Sequence, residues 1–263
     1  MAVLSRMTFF QDFLSLLGAA LTIFAASERA MLTAVCIGGV VLAALCWWVC
    51  SIYSRLWNKS FRVASLHHVF CAMAALMTLA ATVCFVALRH AQEASEASVR
   101  IWEEQLKLDK VWAAKTFSAA YDKVKALGIE DFTNHPAPPL GESIPATNER
   151  SQFECARTYA RSAALHFATS RPCLSSIIQA RSEVPADVLK KDITDYFATQ
   201  GKTYPATKGI SLVAAEVKAG LRVHLPRVVK VFRIMLVGIF LAGQLLAFGL
   251  VGWAAYRDLK ART

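Results

Sequence analysis

Five residues with soft or borderline donor atoms come close together if the chain folds back about Asn58: Cys46, Cys50, His67, His68 and Cys71. Such a hairpin sets Cys50 opposite His67 and His68, and Cys46 opposite Cys71. Cys46 and Cys50 also share a helical face at i and i+4. Thiolate and imidazole are ligands for zinc and for haem iron, so metal or haem binding is the chemistry available there. The plainer reading is packing, because cysteine behaves as a small hydrophobe in apolar helices and histidines at a helix end sit readily among lipid headgroups. The expectation is no resident metal and no cofactor.

A second set consists of polar groups in apolar surroundings. Gln11 and Asp12 lie near the start of the first apolar run, and Gln244 lies near the middle of the last. Ionisable groups within a membrane mark relays or partner-binding positions, although a carboxylate close to an interface is explained by reaching for the headgroups. Gln244 suits hydrogen bonding between helices, and Gly38, Gly39, Gly243, Gly249 and Gly252 suit close helix approach.

Cys155 and Cys173 are the cysteines outside the apolar runs. Paired, they would close a short loop and stabilise the fold by about 3 kcal/mol in the chain-entropy picture. Pairing requires a bend near Ala168 to Arg171, since one straight helix would hold the sulfurs apart; two reduced, packed thiols are the alternative. His166 and His224 fall on or beside apolar stripes and read as packing histidines rather than pH sensors. No phosphate-binding loop, G-x-S-x-G, H-E-x-x-H or dinucleotide fingerprint occurs, so no enzymatic activity is expected.

The elements that must carry these residues are helices in a membrane. Apolar residues make up 56% of the 263 residues, and the mean hydropathy is +0.40. Uncharged runs extend from Met31 to Tyr53, from Val63 to Leu88 and from Ile234 to Tyr256. Each exceeds the roughly 20 helical residues that cross about 30 Å of hydrocarbon. The run from Thr8 to Ala26 is spoiled by its polar pair but is counted as a span. Its rival reading is a cleaved signal peptide, with Arg6 as the basic region and Ala25-Ala26-Ser27 as the cleavage site.

The expected architecture is an all-α integral membrane protein with four transmembrane helices and an extracytoplasmic helical bundle between the third and fourth. Three spans (about 8–26, 31–53 and 63–88) occupy 1–88, the bundle occupies 89–227, and a juxtamembrane segment, the fourth span (about 234–256) and a short tail fill 228–263. Arg55, Lys59 and Arg62 place the loop between the second and third spans in the cytoplasm. Both termini are then cytoplasmic. Arg222, Arg227, Lys230 and Arg233 run against this assignment, but long translocated segments are largely exempt from the charge rule.

Within the bundle, the absence of Pro and Gly from Arg89 to Leu127 predicts one continuous helix, with Trp102, Leu106, Ala113, Phe117, Ala120, Val124 and Leu127 on its apolar stripe. Five residues of the stretch Ile129 to Thr147 are Pro or Gly, so it reads as a loop. A helix capped by Asn148 and ending at Ser170 follows, then helices at Leu174 to Ser182 and Pro185 to Thr199, and a last one from Lys208 that kinks at Pro226 and enters the final span. Tetraspanins also place a large outer loop between their third and fourth spans. Their loop is defined by a Cys-Cys-Gly motif and further cysteines, and this one carries only Cys155 and Cys173, so the resemblance is rejected.

Net charge is +10, which raises the question of nucleic acid. From Arg89 to Arg227 there are 19 basic against 16 acidic residues, so most of the excess flanks the spans and faces lipid phosphate; no nucleic-acid partner is expected. Asn58-Lys59-Ser60 is the one glycosylation sequon and falls in the cytoplasmic loop, which favours a bacterial inner membrane. The function expected is non-enzymatic binding or assembly. Either the chain is a subunit of a secretion- or conjugation-type envelope complex, or it is an immunity protein against a toxin, with membrane lipid and a protein partner for the bundle, as a homo- or hetero-oligomer. A ligand-sensing subunit that signals through a partner is one alternative, and a transporter or channel subunit is another.

Overall fold

The computed structural model describes residues 2–57, 65–127, 144–145, 148–178, 184–200 and 203–262. Nearly all of them are helical. The elements are α1 (Ala2–Ser27), α2 (Arg29–Trp57), α3 (Ser65–Ala87), a 3-10 turn (Leu88–His90), α4 (Ala91–Leu108), α5 (Lys110–Lys125), β1 (Ile144–Pro145), α6 (Glu149–Ser170), α7 (Pro172–Ile177), α8 (Ala186–Gln200), β2 (Thr203–Tyr204) and α9 (Ala206–Arg262). The two short strands pair antiparallel, Ile144 opposite Tyr204 and Pro145 opposite Thr203. Three helical stretches are long and apolar enough to cross a membrane: Arg29–Val49, His68–Leu108 and Ala206–Ala261. The first helix offers only the shorter apolar stretch Gln11–Ser27.

The chain divides into two compact units, one of Met1–Leu16 and Ala94–Pro226, the other of Leu17–Glu93 and Arg227–Thr263. Both α1 and α9 contribute to each. The first unit, here the bundle unit, has a core of large apolar side chains: Val99, Trp102 and Leu106 from α4, Phe117 and Val124 from α5, Tyr159 and Phe167 from α6, Leu189 from α8, and Ile210, Val217 and Leu221 from α9. Gly209 lets α9 approach α6 closely; a Cβ there would lie 2.7 Å from the Tyr159 Cβ.

The long helix expected from Arg89 to Leu127 is interrupted twice. The chain tightens into the 3-10 turn at Leu88–His90, and it breaks at Asp109, whose backbone is extended and whose carboxylate accepts from Val111 N and Trp112 N. Aspartate in that conformation satisfies backbone donors that a new helix would otherwise leave bare, so it starts α5 rather than continuing α4. At α6 the expected cap is present: Asn148 accepts from Ser151 N, and the Ser151 hydroxyl accepts in return from Asn148 N. The final helix starts at Ala206 and continues through Pro226 to Arg262.

The second unit, here the membrane unit, is built on smaller residues. Cys71 and Ala74 of α3 meet Ala247 and Val251 of α9, with Phe248 against them. Gly39 and Gly243 stand at close approaches, with hypothetical Cβ atoms 2.7 Å from Leu79 and 2.9 Å from Met77, whereas Gly38 and Gly249 have open space. Gln244 Nε2 donates to the Ala74 carbonyl at 3.0 Å and to the Thr78 hydroxyl at 2.8 Å, tying α9 to α3 where water is scarce.

Candidate functional site

In the bundle unit, α6 and α8 leave an open groove of about 690 Å³. Its floor is apolar, from Phe153 on α6, Ile193 and Phe197 on α8, and Leu127 beyond α5; Glu149, Arg150, Glu154 and Lys190 stand around it. The α6 cap sets four of these positions, since it fixes where Glu149, Arg150, Phe153 and Glu154 begin their helical spacing. Thr194 also lines it, and no imidazole or thiol is among the described lining residues. An apolar floor under mixed charge is chemically suited to an amphipathic segment.

Beside the groove, α8 is held by an aromatic and ionic staple. Tyr204 Oη donates to Asp192 at 3.0 Å, Lys208 pairs with Asp192 at 2.9 Å, and Tyr196 and Phe197 pack against the Tyr204 ring. Burial, with the Asp192 charge behind it, pushes the Tyr204 phenol far up, so it stays a neutral donor. Another tie runs from α4 to α9: Glu103 accepts from Lys107 at 2.7 Å, from Ser211 at 3.0 Å and from Lys218 at 3.4 Å. Burial pushes the Glu103 carboxyl upward, but the hydrogen bonds of Lys107 and Ser211 and the charges of Lys107 and Lys218 outweigh it, and its pKa ends below the ordinary value.

Asp12 sits within the bundle unit. Its carboxylate accepts from the Cys173 backbone N–H at 2.9 Å and from Arg171 at 3.4 Å, with the Asp12 side chain only 5% exposed. Cys173 occupies the first turn of α7 behind Pro172, so an acid from α1 serves a helix N-terminus that has no side-chain cap of its own. Simple reaching for headgroups is therefore replaced by a specific contact. Sequence reasoning had no access to it, because the partners are separated by 159 and 161 positions.

Of the two readings of Cys155 and Cys173, the structure has the reduced one. Cys155 and Cys173 are both free and buried. The bend at Arg171 that pairing required is present, yet α6 runs unbroken from Glu149 to Ser170 and carries Cys155 away from it, to lie against the Tyr204 carbonyl. Burial pushes the Cys155 thiol up to about 12, and burial together with the Asp12 charge raises Cys173 to about 11. Both therefore stay protonated and poorly reactive at neutral pH. His166 is half-buried and its Nδ1 accepts from the Trp102 indole at 3.1 Å, joining α6 to α4; His224 is half-buried on α9.

Of the cysteine and histidine set, the side chains of Cys50 and His67 lie outside the described residues. Cys71 packs with Ala74 and Ala247, and His68 meets the Trp47 ring at 6.2 Å. Among the described residues no three His, Cys, Asp or Glu stand close enough together to hold a metal ion. A cluster that sequence reasoning missed is at the 3-10 turn, where His90 lies 3.1 Å from Glu93 and 4.0 Å from Glu28 and stacks on Phe24. Compared with protein-family models, with curated proteins and with solved structures, the chain matches none.

Proposed function

We propose that this is a non-enzymatic binding and assembly protein of a bacterial inner membrane, whose extracytoplasmic helical bundle receives an amphipathic segment of a partner protein. The observation that carries the reading is the groove between α6 and α8, with its apolar floor of Phe153, Ile193 and Phe197 under a rim of both charge signs. Such a surface gains from burying a partner's apolar side chains and selects register through its charges. Assembly subunits of envelope machines and toxin-immunity proteins both fit this description. Sensing through a separate signalling subunit and transport are weaker readings, because neither gains a specific feature from the groove.

The contacts of Asp12 support a three-span topology in place of four. Asp12 bonds within the bundle unit, and Phe24 stacks on His90, at the end of α3 from which the chain enters α4. An uncleaved α1 on the same side of the membrane as the bundle accommodates both contacts. The loop with Arg55, Lys59 and Arg62 and the tail with Arg257, Lys260 and Arg262 then lie in the cytoplasm, and the amino terminus lies outside.

Native purification of the full chain with mass spectrometry tests the function. A stoichiometric protein partner that is lost in the exposed-rim variants Arg150→Glu and Thr194→Trp is the expected result; a chain that purifies alone would sink the proposal. For the topology, a protease-sensitive tag at the amino terminus should be cut in cells with a permeabilised outer membrane. Protection of the tag would restore the fourth span.

A further inference from the structure

We propose that the membrane unit carries a site for one anionic phospholipid, in the leaflet nearer the carboxyl end of α3, with an acyl chain between α3 and α9 and the phosphate on Arg233. The site stands whichever protein meets the bundle. It begins with a groove of about 210 Å³, lined chiefly by Thr78, Thr82 and Phe85 of α3 and by Leu236, Val237 and Phe240 of α9. Thr78, Thr82 and Phe85 recur at helical spacing along α3, and Thr78 to Val86 covers about 12 Å at ~1.5 Å per residue. That is most of the roughly 15 Å of hydrocarbon in one leaflet.

The groove is less polar than its residue names suggest. Thr78 Oγ1 donates to the Ala74 carbonyl and Thr82 Oγ1 donates to the Thr78 carbonyl, each at 2.8 Å, so both hydroxyl protons are spent within α3. Gln244 donates to the Thr78 hydroxyl and closes the deep end. What remains is an apolar trough, suited to methylene groups.

Its shallow end is cationic. Arg233 lies one turn before Leu236 and Val237 on α9, and its guanidinium carbon stands 5.3 Å from the centre of the Phe85 ring. The Arg233 Nε is buried and finds no acceptor among the described residues. Arg89, one turn beyond Phe85 in the 3-10 turn that follows α3, and Lys230, one turn before Arg233 on α9, are both exposed. Three cations over an apolar trough, one with an unanswered donor, are the complement of a phosphodiester carrying fatty chains. A zwitterionic headgroup brings its own cation into the same cluster and is disfavoured. The same chemistry explains why Lys230 and Arg233 stand on the side of the membrane where basic residues are otherwise unexpected.

The test is native mass spectrometry of the full chain in detergent, titrated with phosphatidylglycerol or with phosphatidylcholine of the same chains. The expected result is one phosphatidylglycerol per chain, bound more tightly than phosphatidylcholine. Affinity should fall about fivefold for Arg233→Gln and about as much again when Lys230→Gln is added, at roughly 1 kcal/mol per cation. Ala81 also lines the groove, and Ala81→Leu, which narrows the trough without touching charge, should weaken binding while the helical circular dichroism is retained. Arg257→Gln, near the other end of α9, should leave it unchanged, and sn-glycerol 3-phosphate should not compete. Equal binding of the two lipids, an undiminished Arg233→Gln/Lys230→Gln variant, an equal loss in Arg257→Gln, or competition by the soluble phosphate would each overturn the proposal.

Discussion

The bundle unit and the membrane unit are both made of packed helices, yet they bury opposite kinds of residue. In the bundle unit the large side chains point inward: Tyr159, Phe167, Leu106 and Leu221 are all essentially inaccessible. In the membrane unit alanine, cysteine and glycine take the contacts between α3 and α9, while Leu245 is 71% exposed, Leu76 64% and Ile234 63%. Water drives large apolar groups together, whereas lipid is as apolar as leucine and offers no such drive. Helices in lipid associate where small residues allow backbones to approach and where a polar side chain such as Gln244 finds a partner.

The largest effect that bears on this contrast is expected in the bundle unit. Phe167→Ala should destabilise it by about 3–5 kcal/mol, through lost burial and the cavity left beside Trp102. A denaturant titration followed by tryptophan fluorescence measures this; a loss below about 1 kcal/mol would mean that the core is not packed as described.

Next in size is Glu103→Gln, which should cost about 1.5–3 kcal/mol because it weakens charged hydrogen bonds that tie α4 to α9. The sign of its pH dependence follows from the lowered pKa. A carboxyl that releases its proton more readily when folded stabilises the fold above the ordinary glutamate pKa of about 4.3 and loses that contribution as pH falls through the folded value. Thermal melts of the parent chain should therefore drop in acid more steeply than those of Glu103→Gln. Equal slopes would remove Glu103 from the account.

The smallest effects belong to the membrane unit. Gln244→Leu should cost about 0.6 kcal/mol, and at most about 1.7, even though it removes two hydrogen bonds. Leu245→Ala on the outward face should stay within about 0.5 kcal/mol. Unfolding in bicelles resolves the order. If Leu245→Ala proved costlier than Gln244→Leu, the outward face would be a packed interface instead of a lipid-facing one.

The parts of the molecule that were legible in the sequence are those decided locally. Asn148 with Ser151 three residues on announces a helix start wherever it occurs, and three uncharged runs announce apolar helices because length alone decides the matter. The parts that were not legible depend on distant partners. Asp109 looks like any polar residue in a helical stretch until the chain turns there, since no Pro or Gly marks the break. The apolar run of α1 gives no sign of what Asp12 meets, because hydropathy does not register a partner more than a hundred residues away. The lipid groove needed two helices side by side, and the basic residues above it had looked only like an exception to a topology rule.

The contact of Asp12 has a consequence for how the protein is made. Asp12 leaves the ribosome among the first residues, but Arg171 and Cys173 follow 159 and 161 positions later. At roughly 5–20 residues per second, the amino-terminal helix waits on the order of 8–32 s for the site that receives its carboxylate. During that interval the Asp12 carboxylate has neither the Arg171 guanidinium nor the Cys173 N–H that it meets in the folded chain. A variant that speeds synthesis would shorten the wait, and one that stalls between Cys155 and Arg171 would lengthen it at the most vulnerable point.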